Sequence, residues 1–202
     1  MKKTFVLCAT MLASAAAFAQ ESRQDVSLSG MAILAPTVRG NAVTESPTIT
    51  TGILASYRYL LTPRSGLELN YSFAQYTEKF QSGGQAVNTY NPIHVRQQEL
   101  SAAYVYGRTY GNYTPFLEAG VAGVIFTPIL EGSFSLDAKQ NTTIGGEFGG
   151  GVAYELSPSF DLRVQYRGLL LKAPDFHLAG NRFNTGRYQI ISMPVVGFAY
   201  HF

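Results

Sequence analysis

The chain has 202 residues, of which 14% are charged, with one cysteine and no tryptophan. Its 15 Lys+Arg against 13 Asp+Glu is too even a balance for a nucleic-acid footprint. A single cysteine excludes a disulfide framework, and no apolar run approaches the ~20 residues of a membrane-spanning helix.

In chain order, Met1-Lys2-Lys3 is a short basic start, Thr4 to Ala16 is mostly apolar and small, and Ala17-Phe18-Ala19 precedes Gln20. That layout predicts a cleaved secretory signal peptide over residues 1–19 and one mature domain over 20–202. Leu7 stands before Cys8 where a lipoprotein anchor needs a small residue. Removing the signal takes away Lys2, Lys3 and Cys8, leaving 13 charges of each sign.

The remainder alternates with period two, the mark of half-buried strands. Val26, Leu28, Ala32 and Leu34 share one face of 26–35 with Gly30, and Ser27, Ser29, Met31 and Ile33 the other. The pattern recurs over 49–61, 67–75, 96–106, 117–125, 144–154, 160–167 and 188–202, making eight strands. Short turns at 62–66, 107–112 and 157–159 alternate with long segments at 36–48, 76–95, 127–142 and 172–187. Outer-membrane barrels show that asymmetry, with short periplasmic turns and longer extracellular loops. The expectation is an all-β, eight-stranded, antiparallel up-and-down transmembrane β-barrel. Both termini would be periplasmic and four long loops extracellular.

A soluble lipocalin-like barrel also alternates faces, with apolar residues inside. Tyrosine placement favours the membrane. Tyr57, Tyr59, Tyr104, Tyr106, Tyr154 and Tyr166 lie on the apolar face, as an interfacial girdle requires. The opposite face then becomes the lumen, and it carries Arg58, Glu68, Glu99, Glu118, Glu147, Asp161, Arg163 and Arg167.

The ending Gly197-Phe198-Ala199-Tyr200-His201-Phe202 resembles the C-terminal strand signal read by the barrel-assembly machinery, although Val195 replaces the usual polar residue. The stretches from Thr114 to Val124 and from Gly149 to Pro158 resemble a strand and a strand-plus-turn of the OmpA-like outer-membrane beta-barrel family. That resemblance implies an eight-stranded barrel in the outer membrane of a Gram-negative bacterium, with no periplasmic peptidoglycan-binding domain following it. Gly197, Phe198, Tyr200 and Phe202 are thereby the expected assembly signal.

Side chains nearly fill an eight-stranded barrel, and an unpaired buried charge is costly. Counting from the short turns puts Arg58 with Glu68 and Glu147 with Arg167, each diagonally on adjacent strands. Glu118 and Arg163 would meet across the lumen. Such pairs predict a charge-paired plug; the alternative is a narrow solute or ion channel. A lipid A-modifying enzyme is a third reading, but His94, His177 and His201 have no serine placed to form a triad. No catalytic, cofactor-binding or metal residues are assigned. Gly145 to Gly151 lacks the Gly-Lys-Ser/Thr ending of a phosphate loop. The loop charges Arg39, Glu45, Lys79, Arg96, Asp137, Lys139, Asp175 and Arg182 are mixed in sign, as on a solvated surface. The expected role is structural or surface interaction by a monomer. Its partners would be outer-membrane lipid and lipopolysaccharide, and the assembly machinery during biogenesis, with no nucleic acid.

Overall fold

A computed structural model describes residues 23–41, 43–82, 85–86, 93–129, 140–174 and 185–202. The predicted signal peptide lies outside them. Eleven strands are present among the described residues: β1 (Gln24–Ile33), β2 (Val38–Gly40), β3 (Val43–Pro47), β4 (Thr50–Thr62), β5 (Ser65–Ser82), β6 (Gln85–Ala86), β7 (Ile93–Gly107), β8 (Tyr113–Ile129), β9 (Asn141–Ser157), β10 (Phe160–Lys172) and β11 (Tyr188–His201).

Eight of them are the staves of a closed antiparallel barrel. Each of β1, β4, β5, β7, β8, β9, β10 and β11 pairs with the next in that order. The ring closes where β1 meets β11, with Val26 opposite Tyr200, Leu28 opposite Phe198 and Gly30 opposite Val196. A closed ring leaves no unpaired edge, which a strand structure needs in hydrocarbon.

Local chemistry sets the short turns. Between β4 and β5 the Thr62 hydroxyl accepts from the backbone N–H of Arg64 at 3.2 Å and of Ser65 at 3.1 Å, a side chain standing in for a backbone turn. Between β7 and β8, Gly111 takes a φ of 60°, a left-handed conformation that favours glycine. This end is called the lower end below.

Outward positions carry the apolar surface. Leu28, Ile53, Leu69, Leu100, Leu117, Val121, Val164, Val196 and Phe198 are all exposed, on staves whose alternate residues are buried. Such a girdle of apolar side chains would be intolerable in water and is what lipid requires.

The strand bounds differ from the expected ones at the upper end. The stave predicted as 67–75 runs over Ser65–Ser82, and the segment predicted as loop 36–48 holds a small hairpin, β2 and β3, that docks on the top of β5. Beyond Gln75 the alternation continues with polar residues facing outward, so a count of apolar faces stops where the membrane band stops. About 9–11 residues suffice to cross a bilayer; the 18 of β5 project well past it.

Candidate functional site in the barrel interior

The lowest interior layer is built by register. Arg58 of β4 lies opposite Glu68 of β5 and, on its other side, opposite Asp25 of β1. Its Nε donates to Glu68 Oε2 at 2.6 Å, and its guanidinium lies 4.0 Å from Asp25. Arg163 of β10 reaches the same two carboxylates, at 3.0 Å from Asp25 Oδ1 and 3.6 Å from Glu68 Oε2. The ring of Phe116 sits under both guanidiniums, 4.8 Å from Arg58 and 5.8 Å from Arg163, within cation–π range. All four charged groups are buried. Two positive and two negative charges balance.

The next layer is different in stoichiometry. Arg167 of β10 is completely buried and faces three glutamates. Its Nη2 donates to Glu99 Oε1 at 2.9 Å and to Ser101 Oγ at 3.1 Å, and its Nε to Glu147 Oε1 at 2.9 Å. Nη2 bonds that same Glu147 oxygen, and Glu118 Oε1 lies 3.5 Å from Nε. Ser72 donates to Glu99 at 2.8 Å and Asn70 to Glu147 at 3.4 Å. Gly149 makes the layer possible. A Cβ there would come within 2.6 Å of Glu118 Oε1 and 2.5 Å of a backbone oxygen.

Sequence reasoning placed Arg58 beside Glu68 and Glu147 near Arg167, and the structure brings each pair together. Arg58 and Glu68 are directly opposite, not diagonal. The expected Glu118–Arg163 contact does not form. Glu118 is level with Gly149, and Gly149 with Arg167, so Glu118 meets Arg167, while Arg163 falls one layer lower and turns to Asp25. Asp161 is outside both layers, at the lower rim, where His201 Nε2 lies 2.8 Å from its Oδ2. Asp25 and Phe116 were missed. Asp25 continues the Ser27, Ser29 face of β1, a signal available in the sequence.

Above the charged layers the interior becomes apolar, so the expected charge-paired plug gives way to a second, apolar one. Met31, Ile33, Leu54, Ala74, Val95, Ala122, Val124, Phe126, Leu169, Leu171, Ile191, Met193 and Val195 pack together, most of them fully buried. Beyond this plug, in the extension above the apolar outer band, Glu45 of β3 and Glu78 of β5 are again buried. Burial pushes the Glu45 carboxyl up to about 8. Burial and the neighbouring Glu45 raise Glu78 well above the ordinary carboxyl range, against the opposing hydrogen bond from Tyr76.

On the outer face, Tyr57, Tyr59, Tyr104, Tyr106 and Tyr166 are exposed, and the ring of Tyr154 lies 4.9 Å from that of Tyr113. All but Tyr166 stand near the lower end; Tyr166 is higher, level with Pro194. Phe198 and Tyr200 face outward from β11, with the Tyr200 ring 5.1 Å from Phe160 and 6.1 Å from Phe202. Gly197 faces β1 so closely that a Cβ would fall 2.0 Å from Ser29 Oγ. His94 shares a 3.0 Å hydrogen bond with the Thr77 hydroxyl. His177, Asp137, Lys139, Asp175 and Arg182 lie outside the described residues.

Several known proteins share this architecture. Neisserial surface protein A superimposes with a TM-score of 0.62 at 16% identity, covering 90% of this chain and 98% of that one. The outer membrane protein OprG from Pseudomonas aeruginosa gives 0.57 at 13% identity, covering 90% and 96%. At such identities the likeness is one of fold. No curated protein matches by sequence. The family described as outer membrane protein beta-barrel domain matches residues 5–202. A lipid-exposed outer face, a closed ring of eight staves and that match over nearly the whole length agree: the chain belongs to the outer-membrane β-barrel family.

Proposed function

We propose that this protein is a sealed outer-membrane barrel with a structural or surface-interaction role, delivered by a cleaved signal peptide. The observation that carries the reading is the stacking of two unlike seals in one lumen. Below, guanidinium–carboxylate pairs fill the cross-section; above, a packed apolar layer follows directly. An ion path would have to break buried charge pairs and then wet a hydrophobic constriction, and each is a barrier alone. The strands project far beyond the membrane band, giving a rigid stage for whatever the extracellular segments contact. Lipid and lipopolysaccharide would surround a single copy, with the tyrosines near the lower end at the headgroup level.

A narrow channel is the second reading, supported by the buried Glu118 and Glu147 oxygens that no donor satisfies in the Arg167 layer. Enzymatic activity is not part of the proposal. Planar-bilayer recording separates the readings. The purified protein is expected to show no stable open level in symmetric salt, and Arg167→Ala alone is expected to stay closed because the apolar layer remains. A long-lived conductance in the unaltered protein would sink the sealed-barrel reading.

A further inference from the structure

The two charged layers differ by a sum. In the lower one, Arg58 and Arg163 meet Asp25 and Glu68, and the charge is zero. In the upper one, Arg167 stands alone against Glu99, Glu118 and Glu147, leaving two negative charges uncompensated among groups at most 4% exposed. The neighbours cannot supply the difference. Among the described residues, below lies the balanced layer, above lies the apolar plug, and the other buried polar groups nearby are the neutral Asn70, Ser72, Gln97 and Ser101. Uncompensated charge in a low-dielectric interior is among the most expensive arrangements a fold can contain.

A second observation points to the same spot. Asn70 is 1% exposed and reaches into the layer through its hydrogen bond to Glu147, yet its Oδ1 has no partner. Neither oxygen of Glu118 has a hydrogen-bond donor, nor does Glu147 Oε2. Four unfilled acceptor oxygens, from β5, β8 and β9, thus face this layer against one unfilled donor in it, Arg167 Nη1. Acceptor oxygens in excess negative charge suit one class of ligand.

We propose that the Arg167 layer is a buried cation-binding site, in which Glu118, Glu147 and the Asn70 amide oxygen hold one positive charge that halves the excess. Two sources share that chemistry: a proton or an alkali-metal ion. Glu118 is the central acceptor, because Glu99 and Glu147 are already committed to donors from Arg167. The bound charge lets three carboxylates share a dry layer with a single guanidinium. Removing the Glu118 charge then removes both part of the excess and the need for the bound positive charge.

The test is equilibrium urea unfolding of the full chain in detergent micelles. One arm replaces sodium or potassium chloride by N-methylglucamine chloride at constant ionic strength and pH. The other varies pH at constant alkali. An alkali-ion site predicts a folding constant that rises about tenfold per tenfold rise in free alkali ion once the site is filling. A proton site predicts no alkali effect and a fall of about tenfold per pH unit in the titrating range. In either case Glu118→Gln is expected to lose that dependence, and to unfold at a higher urea concentration than the unaltered protein where the site is empty, without alkali ions or above the titrating pH range. Glu99→Gln, which weakens a real bond to Arg167, is expected to unfold at a lower urea concentration. The variant-minus-parent difference removes contributions from the other titrating carboxyls. An unaltered protein indifferent to alkali ions, whose pH dependence Glu118→Gln leaves intact, overturns the proposal. If Glu118→Gln does not fold, the proposal is equally overturned, since the excess charge would then be required.

Discussion

Arg167 and Leu169 are two residues apart on one face of one strand, and both are completely buried. Around Arg167 every contact is directional, with its guanidinium shared among three carboxylates and a serine. Around Leu169 no contact is directional, and the packing of Leu171, Ile191 and Met193 closes the space. The same eight staves thus seal the lower half of the lumen by specific pairs and the upper half by shape. The two halves should fail differently. Removing one partner below leaves stranded charges, whereas removing one side chain above leaves a hole.

The largest effect should come from Arg167→Met, which keeps bulk but removes the guanidinium that Glu99, Glu118 and Glu147 face. Breaking a buried ion pair in this way costs about 3–5 kcal/mol, and three carboxylates put this case at the upper end. Urea unfolding near neutral pH should show that loss, and acidification should restore much of it as the stranded carboxyls take up protons. A pH-independent loss would mean that Arg167 contributes packing alone.

Leu169→Ala is expected to be milder, about 3 kcal/mol from lost transfer energy and the cavity left behind. Its loss should be the same in low and high salt and across pH, since no charge is disturbed. A strongly salt-dependent loss at this position would erase the distinction between the halves.

The most local effect concerns the hairpin above the plug. The folded state keeps a proton on Glu45 up to about pH 8, whereas the ordinary carboxyl releases it near 4.5. Stability of the docked hairpin is therefore full at low pH and falls across that interval, by at most about 1.4 kcal/mol per unit. It then levels off. Amide hydrogen exchange over Val43–Pro47, compared with Glu45→Gln at each pH, should show the unaltered protein losing protection relative to the variant as pH rises. Parallel profiles would place the carboxyl in water.

The architecture was legible because lipid reverses the usual burial pattern and every stave repeats it. The outward Leu67, Leu69 and Tyr71 of β5 and Val196, Phe198 and Tyr200 of β11 announce their faces without any tertiary information. The charged layers were half legible. Arg58 and Glu68 flank a four-residue turn, so counting from that turn suffices. Glu118 and Arg167 sit on strands separated by β9, and their common height depends on two registers, with Gly149 as the link. A misjudged height of four residues sent Glu118 to Arg163. The apolar plug left a trace that the alternation count overlooked: Met31 to Leu34, Gly168 to Leu171 and Ala119 to Phe126 contain no charge on either face. A stave apolar on both faces near its upper end marks a dry interior at that height. Glu45 counts as a solvated loop charge in the sequence, and Glu78 falls in the segment expected as loop 76–95, because nothing local reveals that a hairpin docks on β5 there.

That hairpin has a consequence for self-association. Where β4 stops pairing with β5, at Gly52 opposite Ala74, β3 takes over from Pro47 opposite Glu78, while on the other side β7 runs as far as Ile93 opposite Glu78 and β6 pairs with Gln81 and Ser82 above it. The part of β5 that rises above the membrane therefore has a partner on each side. A bare strand there would offer its N–H and C=O groups to any passing extended chain. By covering it, β3 makes this projecting wall a poor template for strand addition.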